Sequence, residues 1–334
     1  MNGLQIQFID AGVGDCILIT DLVHKKKILI DSGPSKGEGR LSVSQNLSQL
    51  LCHDKKIDIA IITHNDDDHI GGFKSLIEEE IINVDKFIFN NIKQVESNIV
   101  ESKKASYRQD IELHTLANKM GINIDVMIVE DDIPNIINIG AMTLKFMSPN
   151  KNKIEQLIRW SQSESTKIND RQKLSPTCTS ESLEDVIKKI KDNDCFTPDK
   201  SPTNGSSIAF ILEYGEYKFL FLGDAHMDIV EDFFSREAEK INFELIKLSH
   251  HSSEKNNSKA FFDQIFCDKF IFCCNGLNNH GHPSLVTIAR LSINFPNSKL
   301  FFTSDNEDIK RITKSFSSRC TYSADGILEF NYEL

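Results

Sequence analysis

The chain has 334 residues, 40% hydrophobic and 26% charged, and a formal net charge of −11 at pH 7. That apolar share sustains a sizeable core and excludes wholesale disorder, while the acidic balance excludes a generally basic surface, so any nucleic-acid contact is local or bridged by cations. No run approaches the roughly 20 apolar residues that span a bilayer, so no membrane role is expected.

Strand patterns dominate the first third. Leu4 to Ile9 alternates apolar and polar side chains, and Cys16 to Thr20 and Lys27 to Ile30 are short β-rich runs separated by turn residues. Ile57 to Thr63 is nearly continuous apolar sequence, as in a strand buried on both faces. A helix is predicted from Gly72 to Glu80, a strand over Lys86 to Phe89, a helix over Ser106 to Met120 on its spacing of Ile111, Leu113, Leu116 and Met120, and strands over Asp125 to Val129 and Met142 to Met147.

Residues 150–203 change character. They are rich in Lys, Asp, Ser and Thr, hold the only tryptophan, Trp160, and contain one short amphipathic pattern, Leu183 to Ile190. Too few apolar residues are present for an independent core, so the stretch reads as an insertion: a lid or partner-binding segment on one view, a solvated excursion on the other.

Strands resume at Ser207 to Tyr214 and Tyr217 to Leu222 around the tight turn YGEY, followed by a helix over Asp228 to Glu239 and a strand over Glu244 to Leu248. A helix over Lys259 to Phe266, a strand over Phe270 to Cys274, a helix over Leu285 to Phe295 and strands Lys299 to Thr303 and Ile327 to Tyr332 complete the chain. Strands then helices, twice over, fit an α/β fold with two mixed β-sheets face to face and helices outside, a four-layer αββα sandwich over residues 1–334 with the insertion at about 150–203. The start of the chain lacks the basic flank of a secretion signal, and the eight cysteines form no CxxC pair, so they read as reduced thiols in a cytoplasmic protein.

One segment carries chemistry on its own. THNDDDHIGG (Thr63 to Gly72) runs a buried strand into a loop holding His64, Asp66, Asp68 and His69, then a Gly pair that opens a helix. His64 and Asp66 can point the same way from an extended loop, with Asp68 and His69 placed for a second ion. Imidazole with carboxylate suits Zn, Mn or Fe, and added carboxylate favours harder ions. The glycines let the backbone turn sharply and leave room over the metals.

This HxDxDHxGG segment resembles the metallo-β-lactamase superfamily pattern, usually HxHxDH, in the variant of the ComEC-type branch, where Asp66 replaces the second His. FIDAGVGDCILI, ILIDSG, FLFLGDA, LSHHSS and NNHGHPS resemble further segments of that branch in order. The resemblance implies a metal-bridging carboxylate at Asp224, metal or proton-donating roles among His250, His251 and His282, and an Asp31 that orients a metal-binding His. Asn204 and Ser207 resemble the branch's Asn-x-x-Ser segment, with Asn in place of a third-motif His. Asp10 and Asp15 are expected to fix the DxGxGD turn.

The function so implied is a hydrolase with two divalent metal ions, Zn or Mn. His64 and Asp66 hold one ion with a later His, Asp68 and His69 hold the other, and Asp224 lies between. Asp68 orients a metal-bridged hydroxide, and a His at 250, 251 or 282 protonates the leaving group. The first expectation is a phosphodiesterase, a nuclease on DNA, with Arg159, Arg171, Lys188 and Lys189 of the insertion as a local basic patch. The alternatives are a small-molecule hydrolase (a phosphocholine-type esterase, cyclic-nucleotide phosphodiesterase or lactonase) and a non-catalytic module that binds a protein partner through the insertion.

Overall fold

The computed structural model describes residues 3–92, 94–95, 108–130, 135–164, 181–276 and 281–333. Cys178, Arg171, Asn278 to His280 and the first residues of the Ser106 to Met120 helix lie outside them.

Two sheets form. The first contains β1 (Gly3–Ile9), β2 (Ile17–Asp21), β3 (Lys26–Ile30), β4 (Ile59–Ile62), β5 (Lys86–Phe89) and β6 (Asn123–Asp125), closed by the last strand, β15 (Ile327–Glu333), in the order β15-β1-β2-β3-β4-β5-β6. The second contains β7 (Ile136–Ile139), β8 (Met142–Ser148), β9 (Ala209–Tyr214), β10 (Tyr217–Phe221), β11 (Leu245–Lys247), β12 (Lys269–Phe272), β13 (Lys299–Phe302) and β14 (Cys320–Tyr322), in the order β14-β13-β12-β11-β10-β9-β8-β7. Both sheets begin antiparallel and turn parallel, from β3 to β6 in one and from β10 to β14 in the other.

The pleat separates the layers. Ile59 and Ile61 of β4 face the second sheet, where Phe210, Leu212, Phe219 and Phe221 meet them and Ile6 and Phe8 in one core. Ala60 and Ile62 face outward, under Val43 and Leu47 of α1 (Glu38–Leu50), Phe73 and Leu76 of the Phe73–Glu78 helix, and Leu113 of the Arg108–Met120 helix. The outer face of the second sheet is covered likewise, by Val230 and Phe234 of the Met227–Ser235 helix and Ile288 and Leu291 of the Leu285–Asn294 helix. The architecture is the expected αββα sandwich.

Several local expectations shift. The Ile57 to Thr63 run breaks at Asp58, whose carboxylate accepts from the Lys27 amide at 2.9 Å. The Asp125 to Val129 strand ends at Asp125, because Met127 N–H donates to Asn90 and Val129 N–H to Pro149 O as the chain crosses to the second sheet. Helix α1 escapes sequence reading: its Ser-rich sequence looks like loop, and only Val43, Ser44 and Leu47 are buried. The insertion opens with a helix, Lys151–Glu164, whose Ile154, Leu157 and Ile158 are buried. The helical spacing was there to read, inside a polar setting.

Candidate metal centre

The site collects at the carboxyl ends of parallel strands, where loops leave a sheet and side chains can converge without disturbing its ladder. Asp31 follows β3, His64 to His69 follow β4, Asp224 follows β10, and His250 and His251 follow β11. Asp66 is extended (φ −73°, ψ 145°), and Asp67–Ile70 forms one helical turn that presents Asp68 and His69. The Gly pair serves differently from the sequence expectation. Neither residue has positive φ; a Cβ on Gly71 would lie 2.4 Å from the Ser35 amide nitrogen, and one on Gly72 2.3 Å from Ser32 O. Close approach to the loop after β3, rather than turn freedom, requires glycine here.

Asp224 is the centre. Its Oδ2 lies 3.5 Å from His69 Nε2, 3.8 Å from His64 Nε2, 3.8 Å from His250 Nε2 and 3.9 Å from His251 Nε2. His64 Nε2 is 3.5 Å from Asp66 Oδ2, and His251 Nε2 is 3.1 Å from Asp68 Oδ2. Each ring is aimed by its other nitrogen. His69 Nδ1 donates to Asp31 Oδ2 at 2.8 Å, and Asp31 also accepts from Thr63 N and Oγ1. His64 Nδ1 lies 3.1 Å from Thr63 Oγ1, His251 Nδ1 donates to Cys273 O at 2.9 Å, and His250 Nδ1 donates to Asn256 Oδ1 at 2.9 Å. With Nδ1 occupied, the four Nε2 atoms face one carboxylate.

These residues suit divalent cations. His64 Nε2, His69 Nε2 and Asp224 Oδ1 are buried without a hydrogen-bond partner, a costly arrangement unless a cation completes it. Ligand atoms of His64, His69 and Asp224 lie within 4.8 Å of one another, as do those of Asp68, His69 and His251. Charge points the same way. Burial alone would raise the Asp224 pKa, yet the rings of His69, His250 and His251 outweigh it and hold the group well below the usual carboxylate range. Burial opposes charge on His250 too, but Asp224 and Asp199 lift its pKa to about 9. The charge on His250 thus stands in for part of the positive charge that a cation would bring.

Other expected residues hold supporting positions. Ser207 Oγ accepts from the Asp224 amide at 2.9 Å, fixing the turn that carries the carboxylate. Asn204 Nδ2 donates to Asp199 Oδ2 at 2.7 Å and lies 3.3 Å from His250 Nδ1. The His282 ring is 5.1 Å from that of His250 and 6.4 Å from that of His251, at the edge of the cluster. Asp10 fixes its turn by accepting from Gly12 N at 2.9 Å. Asp15 does something else: it pairs with Lys247, which sequence reading passed over as one residue of a strand. Lys247 is buried and also donates to Gly223 O at 2.9 Å. Asp199, likewise missed, lies inside the polar insertion, where nothing local marks it. In the expected basic patch, Arg159 pairs with Glu155 and Lys189 with Glu181.

Residues 9–87 match the family model of the metallo-beta-lactamase superfamily. None of the curated proteins matches the chain significantly. Among solved structures, the chain is similar to the metallo-beta-lactamase fold protein YhfI from Bacillus subtilis, at 13% identity over 98% of this chain and 100% of that one, with a TM-score of 0.43. It is similar to a diphosphatase from the PhnP family at 12% identity, over 96% of this chain and 85% of the other, with a TM-score of 0.42. It is also similar to CmlA, a diiron beta-hydroxylase from Streptomyces venezuelae, at 11% identity and a TM-score of 0.42; 99% of this chain aligns, but only 55% of CmlA is spanned. The stretch matched by the metallo-beta-lactamase superfamily model, residues 9–87, includes the loop from His64 to Gly72 and the aspartate that aims His69.

Proposed function

We propose that the chain is a two-metal phosphodiester hydrolase whose substrate is DNA. The observation that carries the reading is Asp224 Oδ2, placed 3.5 to 3.9 Å from four imidazole Nε2 atoms contributed by two different sheets. His64, Asp66 and His250 would hold one ion, Asp68, His69 and His251 the other, with Asp224 shared. Zn or Mn, when bound, supplies Lewis-acid charge and a more acidic water. The cations also give an acidic chain a means of holding a phosphate backbone.

The remaining chemistry belongs to the chain. Asp31 and Cys273 O keep the His69 and His251 rings turned towards the centre. Asp68 accepts a hydrogen bond at the centre and orients the attacking water. With His250 and His251 assigned to the ions, His282 at the rim delivers the proton to the leaving oxygen as the P–O bond breaks.

The test is cleavage of end-labelled single- and double-stranded DNA by the chain stripped with EDTA and reloaded with Mn or Zn, beside Asp68→Ala. Ion-dependent cleavage that falls at least about 100-fold in the variant is the expected result. Two ions bound with neither DNA cut would sink the nuclease reading and turn attention to small phosphodiesters and lactones.

A further inference from the structure

The final stretch of the insertion does not stand away from the centre. Leu183–Asp192 forms a helix, and the chain after it, residues 193–200, runs back against the loop that bears His250 and His251. One side chain ties the two together. Arg290 is almost fully buried, and its guanidinium forks onto Asp194 (Nη2 to Oδ1 2.7 Å, Nε to Oδ2 3.0 Å). The same guanidinium donates through Nη1 to Glu254 O at 2.7 Å and Asn257 O at 2.9 Å, just beyond the two histidines. Phe196 covers it, 5.3 Å from ring centroid to Cζ. A bidentate, buried arginine of this kind holds both of its partners in fixed geometry.

Five residues beyond Asp194 the segment reaches the centre. Asp199 N–H donates to Lys255 O at 3.1 Å. Its Oδ1 accepts from Ser201 N at 2.9 Å. Its Oδ2 accepts from Asn204 Nδ2 at 2.7 Å and Asn256 Nδ2 at 3.1 Å, and lies 3.6 Å from His250 Nδ1. Asn256 in turn takes the His250 Nδ1–H on Oδ1 at 2.9 Å. Asp199 therefore fixes which way the Asn256 amide faces, and that amide fixes which nitrogen of His250 faces Asp224. On the other side of the centre Asp31 performs this task for His69 from within the sheet framework; for His250 the carboxylate comes from the insertion.

We propose that Asp199 is a positioning residue of the metal centre, aiming His250 through Asn256, and that the insertion completes the centre by delivering it. This rests on the reading of the centre as a two-metal site with His250 as a ligand.

The experiment titrates Zn and Mn into the EDTA-stripped full-length chain by calorimetry, for wild type, Asp199→Asn, His250→Ala and the double variant. Asp199→Asn is expected to weaken one binding event about 10- to 100-fold and to leave the other within about threefold. In the His250→Ala background the same change should cost less than about twofold, because its effect runs through the ring. Equal affinities for wild type and Asp199→Asn, or additive losses in the double variant, would overturn the proposal while leaving the metal reading intact. A wild-type chain that binds neither ion would overturn both. If circular dichroism shows Asp199→Asn unfolded, the same cycle is read on Asp199→Glu, which keeps the charge and is expected to lose less.

Discussion

Lys247 shows how a single residue can be decided by its surroundings. A buried ammonium is unfavourable alone, yet Asp15 and Asp224 outweigh burial and hold its pKa above the usual lysine range. It ties the DxGxGD turn, through Asp15, to the turn carrying Asp224, through Gly223 O. Replacing it by Met would leave Asp15 buried and uncompensated, so Lys247→Met is expected to destabilise the fold by about 3–5 kcal/mol. Chemical denaturation of the metal-free variant measures this directly. Asp31 poses the complementary case. Its carboxylate takes three hydrogen bonds, one of them from His69 Nδ1. Asp31→Asn keeps the size but puts a donor against donors, and a metal-affinity loss of about 10- to 100-fold is expected on titration.

At the level of the element, the turn after β11 is strained. His250, His251 and Ser252 have φ of 47°, 50° and 70°, three left-handed residues in succession with no glycine among them. Such a run of left-handed residues is costly, and from it both imidazoles place Nε2 within 3.9 Å of Asp224 Oδ2. Ser252 contributes least: its Oγ is buried and has no hydrogen-bond partner. Ser252→Gly removes a left-handed penalty of roughly 1–2 kcal/mol and an unpaired hydroxyl, against about 1 kcal/mol of added chain entropy. A net gain of about 1 kcal/mol is expected, read as a higher melting temperature of the metal-free protein. The turn after β10 solves the same problem with Gly223 at φ +48°, where a Cβ would sit 2.4 Å from Ser207 Oγ.

For the whole molecule, the paired charges at the centre link stability to pH. The His250 pKa is raised to about 9, above the roughly 6.5 of an unfolded histidine. Its contribution is therefore complete below about pH 6.5 and is lost as pH rises through about 9. The depressed carboxylates Asp68 and Asp224 work in the other direction, their contribution being lost as pH falls below the usual carboxylate range. The melting temperature of EDTA-treated protein should fall between pH 6.5 and 9.5, whereas metal affinity should rise over the same interval as cations displace the protons. A melting curve that stays flat across that interval in EDTA would show that His250 carries no such charge.

Much of the centre could be read from the chain because its parts are local. A strand buried on both faces needs a continuous apolar run, and the run ending at Ile62 aims His64, Asp66, Asp68 and His69 within a few residues. Gly223 with Asp224, and His250 with His251, are likewise short motifs at strand ends. Which rings meet is a different matter. His251 and Asp68 are 183 residues apart in the chain, and only two sheets packed face to face bring them within hydrogen-bond reach. The same holds for Lys247 beneath the centre and for Asp199, a carboxylate in polar sequence that has no periodicity to betray it. Sequence by itself determined the fold class and the motif-bearing loops, because hydrophobic period and short motifs act over a few residues. The tertiary structure alone decided which nitrogen of each ring faces Asp224 and what holds it there, because hydrogen bonds between distant loops depend on how the two sheets pack.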